Sequence, residues 1–123
     1  MTTDKFEFTI GITPGYFNGD IIPGATGKLV SSLYTSASEA EEKFGLFISF
    51  NIHNTLTVYK EEWGCPEGGE KTFTLTAVRN PTFITDSKKW KDVCLYIAES
   101  MKKLLEQSTV TAEFSKVDMI YLQ

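Results

Sequence analysis

The chain has one histidine, two cysteines, fewer basic than acidic residues and no long apolar run, and each scarcity closes off a class of protein. A single histidine cannot build a multi-histidine metal site. Two cysteines, Cys65 and Cys94, are too few for a disulfide scaffold or for a zinc site made of cysteines alone, and they read as reduced thiols in a reducing compartment. No stretch approaches the roughly 20 apolar residues that a membrane-spanning helix needs. The start, Met1-Thr2-Thr3-Asp4-Lys5, runs straight into alternating residues without the basic-then-apolar pattern of a secretory leader. Asn80-Pro81-Thr82 carries the proline that disqualifies a glycosylation acceptor. With 12 Lys and Arg against 16 Asp and Glu, the net charge is −4, the wrong sign for a general nucleic-acid binder. These absences point to a cytoplasmic protein with no nucleic-acid and no membrane partner. Nothing in the sequence implies a cofactor or a metal.

What is present is an ordinary globular composition, 41% hydrophobic and 23% charged, over 123 residues. That size favours one domain, residues 1–123, able to fold on its own core.

Periodicity supplies the elements. Residues 5–12 alternate, with Phe6, Phe8 and Ile10 opposite Lys5, Glu7 and Thr9, the pattern of a half-buried strand. The turn-rich segment 13–20 follows, its Tyr16 and Phe17 expected to tuck against the fold. Leu29, Val30, Leu33, Tyr34, Ala37, Ala40 and Phe44 recur at helical spacing, predicting a helix over 25–44 stopped by Gly45. Ser36-Ala37-Ser38-Glu39 is a capping box that offers a competing, later start. Residues 46–60 keep one parity throughout and predict a single long strand, with a tight turn at His53-Asn54 as the alternative. The loop 61–70, EEWGCPEGGE, then joins an antiparallel hairpin to a strand at 71–79. Asp86 is the expected N-cap of the clearest helix, 87–107, whose apolar stripe is Trp90, Val93, Cys94, Ile97, Ala98, Met101, Leu104 and Leu105. Glu99 and Lys103 are spaced as a helix ion pair. Residues 110–122 form the last strand, with a register change near 115–118 as an option. The order β-α-β-β-α-β predicts an α+β, ferredoxin-like two-layer sandwich: a four-stranded antiparallel sheet with two helices on one face.

The uncovered sheet face is then where function should lie. It collects Glu7, Thr9, Ser49, Asn51, His53, Thr57, Thr72, Thr74, Thr76, Thr111, Glu113 and Ser115. Three readings fit it. It is a solvated face, since threonine is a good strand former. It is a subunit interface, anchored by Phe47, Tyr59 and Val78 and giving a homodimer or higher oligomer. Or it is a cleft for a small polar ligand, bounded by the Trp63 loop, with Asn51, His53, Tyr59, Trp63 and Thr74 as the binding residues.

Catalytic chemistry is thin. His53 could serve as a general base near neutral pH, though a lone histidine on a polar sheet is commonly just a surface residue. Cys65 could be a nucleophile, but Glu61, Glu62, Glu67 and Glu70 surround it in sequence, and negative charge raises a thiol pKa. The same four glutamates lack the spacing of a calcium loop and read as a solvated acidic loop. The segment 23–28 fails the phosphate-loop pattern twice, with Ile22 in place of the first glycine and Leu29 after the lysine. A weaker anion site at that helix start is the residual option. Lys88, Lys89, Lys91, Lys102 and Lys103 make the second helix locally basic, the usual sign of a solvated face. The main functional expectation is therefore a non-catalytic ligand-binding or oligomerising domain. The alternative is a small enzyme, an isomerase or thiol-dependent catalyst, using His53 with Cys65, Glu7 or Glu113. Docking to another protein through the acidic loop or the lysine-bearing helix is a third reading.

Overall fold

The computed structural model describes residues 1–13 and 24–123. Its elements run β1 (Thr2–Gly11), α1 (Ala25–Phe44), β2 (Asn51–Thr57), β3 (Glu70–Val78), α2 (Ser87–Leu104) and β4 (Thr111–Asp118). The sheet order is β2-β3-β1-β4 and every pair is antiparallel. This is the expected two-layer α+β sandwich. The Tyr16 and Phe17 of the turn-rich segment lie outside the described residues, as do Ile22 and Pro23 of the failed phosphate loop.

The core forms where the strand and helix periodicities meet. Phe6, Phe8 and Ile10 of β1 and Phe73, Leu75 and Ala77 of β3 turn one way and are buried with Leu29, Ala37 and Ala40 of α1 and Trp90, Val93, Cys94, Ile97 and Met101 of α2. Both helices therefore cover the same sheet face. Burying each large side chain contributes about 1.5–3 kcal/mol.

Helix ends follow local chemistry. Asp86 caps α2, its Oδ1 accepting from the Lys89 amide at 3.0 Å. Gly45 ends α1 in the left-handed region, φ 73°, and donates to Glu41 O at 2.8 Å. The helix α1 starts at Ala25, so the Ser36 capping box is not used; Ser36 is buried and bonds Ser100 across the two helices at 2.9 Å.

Several boundaries differ from the sequence expectation. The ladder of β2 covers only 51–57, in one piece with no turn at His53-Asn54, and residues 46–50 stay outside it although Ile48 is buried. Phe47 does not anchor the open face: its ring lies 6.1 Å from that of Tyr34 on α1. Leu56 and Val58 share the parity of the core but are exposed, because β2 is an edge strand and the core extends along it only to Ile52. The helix α2 ends at Leu104, and Glu106 adopts φ 52° as the chain turns away. The β1–β4 register runs unbroken from Thr2–Asp118 to Thr9–Thr111, so no register change occurs. On α2 the ion pair that forms at helical spacing is Lys88–Asp92, 2.9 Å, in place of Glu99–Lys103.

Candidate functional site

The register fixes which side chains share the uncovered face. Thr57 pairs with Glu70, Thr55 with Thr72, and His53 with Thr74; Thr74 pairs onward with Thr9, and Thr9 with Thr111. Hydroxyls knit this face together. Thr9 meets Thr74 at 2.9 Å, Thr55 meets Thr72 at 2.9 Å and Thr74 at 3.2 Å, and Thr57 meets Thr72 at 2.9 Å. Such pairs stiffen the sheet and orient its polar groups.

At one end of the ladder the face becomes a cavity of about 330 Å³. Strands supply Thr9, Thr57, Glu70 and Thr111, and the segments beside them supply Tyr59, Trp63 and Thr109. The hairpin loop makes the aromatic wall. A short 3-10 turn, Glu61–Trp63, ends at Gly64 with φ 108°, a value that favours glycine, and this turn carries Trp63. Tyr59 leans inward, its hydroxyl donating to Glu70 Oε1 at 2.8 Å and more weakly to Gly64 O at 3.4 Å. A phenol-to-carboxylate hydrogen bond of that length is charge-assisted and fixes both groups. Trp63 is 67% exposed, so an indole face is open to a ligand. The Lys60 ammonium sits 5.9 Å from the Trp63 ring centroid and 3.2 Å from Glu62.

The residues singled out from sequence fall in three places. Tyr59 and Trp63 line the cavity. Thr74 lies beside it, tied to the lining residue Thr9. Asn51 and His53 lie further along the sheet, where His53 Nε2 meets Thr76 Oγ1 at 3.3 Å; from His53 to Thr57 is about 13 Å of strand. Cys65 lies behind Tyr59, its sulfur 3.5 Å from the Tyr59 amide and from Pro66 O, and is buried. The hydrogen bonds of His53 and Cys65 thus go to separate neighbourhoods. Cys94 is buried on α2, and burial first, with the nearby Asp4 charge second, pushes its thiol well above the ordinary range. Among the described residues no cluster of His, Cys, Asp and Glu could hold a metal ion.

Glu7 and Glu113 face one another across β1 and β4 and line a smaller recess with Thr9 and Thr111. The hydrogen bond that a protonated Glu113 donates to Glu7, and then the like charge of Glu7, raise the pKa of Glu113.

Glu70, one of the four glutamates of the 61–70 segment expected to be a solvated acidic loop, instead lines the cavity. The signal was its parity: Glu70, Thr72, Thr74 and Thr76 are spaced by two, which puts Glu70 on the polar face as the first residue of β3.

A family model described as SAM lyase matches residues 1–123. Among solved structures, a phage SAM lyase in complex with S-methyl-5'-thioadenosine superposes with a TM-score of 0.61 over 92% of this chain and 80% of that chain, at 9% identity. A phage SAM lyase in the apo state gives a TM-score of 0.57 over 94% and 81%, at 8% identity. At these identities the superpositions establish the fold. No curated protein matches the chain in sequence.

Proposed function

Because this chain belongs to the SAM lyase family, we propose that the cavity around Tyr59 and Glu70 binds S-adenosylmethionine and breaks its carbon–sulfur bond, releasing S-methyl-5'-thioadenosine. Family membership favours the enzymatic alternative over the non-catalytic binding domain. The observation that carries the assignment to this cavity is the Tyr59–Glu70 hydrogen bond, which holds a carboxylate among threonine hydroxyls and beside an open indole.

The chemistry suits such a site. S-adenosylmethionine carries a positive sulfonium, and Glu70 offers the opposite charge. The bond between sulfur and the methionine-side carbon breaks, its electron pair stays on sulfur, and the cation becomes a neutral thioether. The four-carbon remainder is completed either by closure of its own carboxylate onto that carbon or by loss of a proton from the adjacent carbon. Both routes are redox-neutral. Trp63 presents a ring face for the purine or the sulfonium, interactions worth about 0.5–2 kcal/mol. Thr9, Thr57, Thr109 and Thr111 offer hydroxyls to the ribose and the carboxylate.

A second copy of the chain on the open Thr-rich face is part of the same proposal. Trp63 is 67% exposed in one copy, and a second copy would wall the cavity and exclude water. We place the protein in the cytoplasm on its two free cysteines. Among the described residues no helix is long and apolar enough to cross a membrane.

The test is incubation of the purified chain with S-adenosylmethionine and chromatographic detection of S-methyl-5'-thioadenosine. Tyr59→Phe removes a hydrogen bond to a charged group, worth about 1.5–3 kcal/mol, so kcat/KM is expected to fall about 10–100-fold. Full activity in that variant would remove the cavity from consideration.

A further inference from the structure

Gly11, the last residue of β1, stands opposite Thr72 on the uncovered face. Its backbone is strand-like and outside the positive-φ glycines, so no turn demands glycine there. Within a strand a glycine is a weak choice, since it orders more backbone and packs no side chain. The space its side chain would fill is already taken. A Cβ at Gly11 would overlap Glu70 Oε2 and lie 2.6 Å from Gln107 Oε1. Both oxygens end flexible side chains, yet neither is free to swing away. Glu70 is held at its other oxygen by the Tyr59 hydroxyl at 2.8 Å. Gln107 is held through Nε2, which donates to Thr13 O at 3.1 Å and Leu105 O at 3.0 Å. Those two carbonyl acceptors also settle which end of the amide is nitrogen, and so leave its oxygen facing Gly11.

We propose that Gly11 is a positioning residue for Glu70: its bare Cα is the seat on which the carboxylate lies across β1, with Gln107 closing the far side. Glu70 is then fixed at both oxygens, one by a hydrogen bond and one by the shape of the strand beneath it. This rests on the reading of Glu70 as part of the substrate site. A methyl group at position 11 pushes the carboxylate off its seat and strains the Tyr59 bond. A misplacement near 1 Å is enough to cost about 100-fold in rate.

The experiment is a double-mutant cycle of Gly11→Ala and Glu70→Ala in the full chain, read by thermal melting and by catalysis. Gly11→Ala is expected to lower the melting temperature more when Glu70 is present than in the Glu70→Ala background, where only the contact with Gln107 remains. In catalysis, Gly11→Ala alone is expected to reduce kcat/KM for S-adenosylmethionine about 100-fold, mostly in kcat. The double variant Gly11→Ala/Glu70→Asp, whose carboxylate is withdrawn by one methylene, is expected to be no worse than Glu70→Asp alone. Equal melting shifts in both backgrounds, or unchanged kcat in Gly11→Ala, would overturn the proposal. If the wild-type chain makes no S-methyl-5'-thioadenosine, the lyase reading fails by itself, and the melting cycle still decides whether Gly11 seats Glu70.

Discussion

Asp4 is a buried charge on β1, and the groups around it decide its behaviour. Arg79 Nε donates to its carboxylate at 2.9 Å and Ser87 Oγ at 2.7 Å, Lys116 donates to the second oxygen, and Lys91 stands 3.7 Å away. Burial pushes the pKa up, but the hydrogen bonds from Lys116, Ser87 and Arg79 outweigh it and hold the carboxyl well below the ordinary aspartate value of 3.8. A depressed folded pKa means stability that is present above the unfolded value and lost as pH falls toward the folded one. Asp4→Asn leaves Arg79 without its buried partner and is expected to cost about 3–5 kcal/mol at pH 7 in chemical denaturation. The difference from wild type is expected to shrink as pH drops below about 4. Glu113 has the opposite sign. Its pKa is raised by Glu7, so the repulsion exists only when both are ionised, and stability rises as pH falls through the carboxylate range. Glu113→Gln is expected to raise the melting temperature at pH 7 and to have no effect once both carboxyls are protonated. A lower melting temperature at pH 7 would contradict the pairing.

At the scale of elements, caps and strand ends carry the checkable claims. Asp86→Ala removes the cap of α2 and is expected to cost about 0.5–2 kcal/mol by denaturant titration. An unchanged midpoint would mean that the cap is redundant. The helix α2 was legible in the sequence because its cap, its stripe from Trp90 to Met101 and its spacing agree. The helix α1 was harder to bound, since the Ser36 capping box mimics a start; burial of Ser36 against Ser100 overrides it. Parity alone could not end β2. Phe47, Ser49 and Val58 keep the alternation of a strand, while ladder pairing, a property of the neighbouring strand, stops at Asn51 and Thr57. The candidate site was half legible for a related reason. Tyr59 and Trp63 stood out as aromatics beside a polar face. Glu70 looked like one of four loop glutamates until the register placed it opposite Thr57 and within reach of Tyr59.

For the whole molecule, the β2-β3-β1-β4 order puts both helices on one side and leaves a hydroxyl-rich face on the other. A partner copy on that face is expected to appear as a concentration-dependent oligomer by light scattering. A fully active strict monomer would contradict that part of the proposal. The cavity at the end of the face bears the larger claim, because it joins a fixed carboxylate, an open indole and four threonines. The most direct measurement is the rate of S-methyl-5'-thioadenosine formation from S-adenosylmethionine by the wild-type chain and by Glu70→Gln, each confirmed folded by melting. The wild type is expected to form the product, and the variant to form it at least about 100-fold more slowly, as when a single electrostatic group in an active site is lost. Product formed equally by both, or by neither, would contradict the assignment.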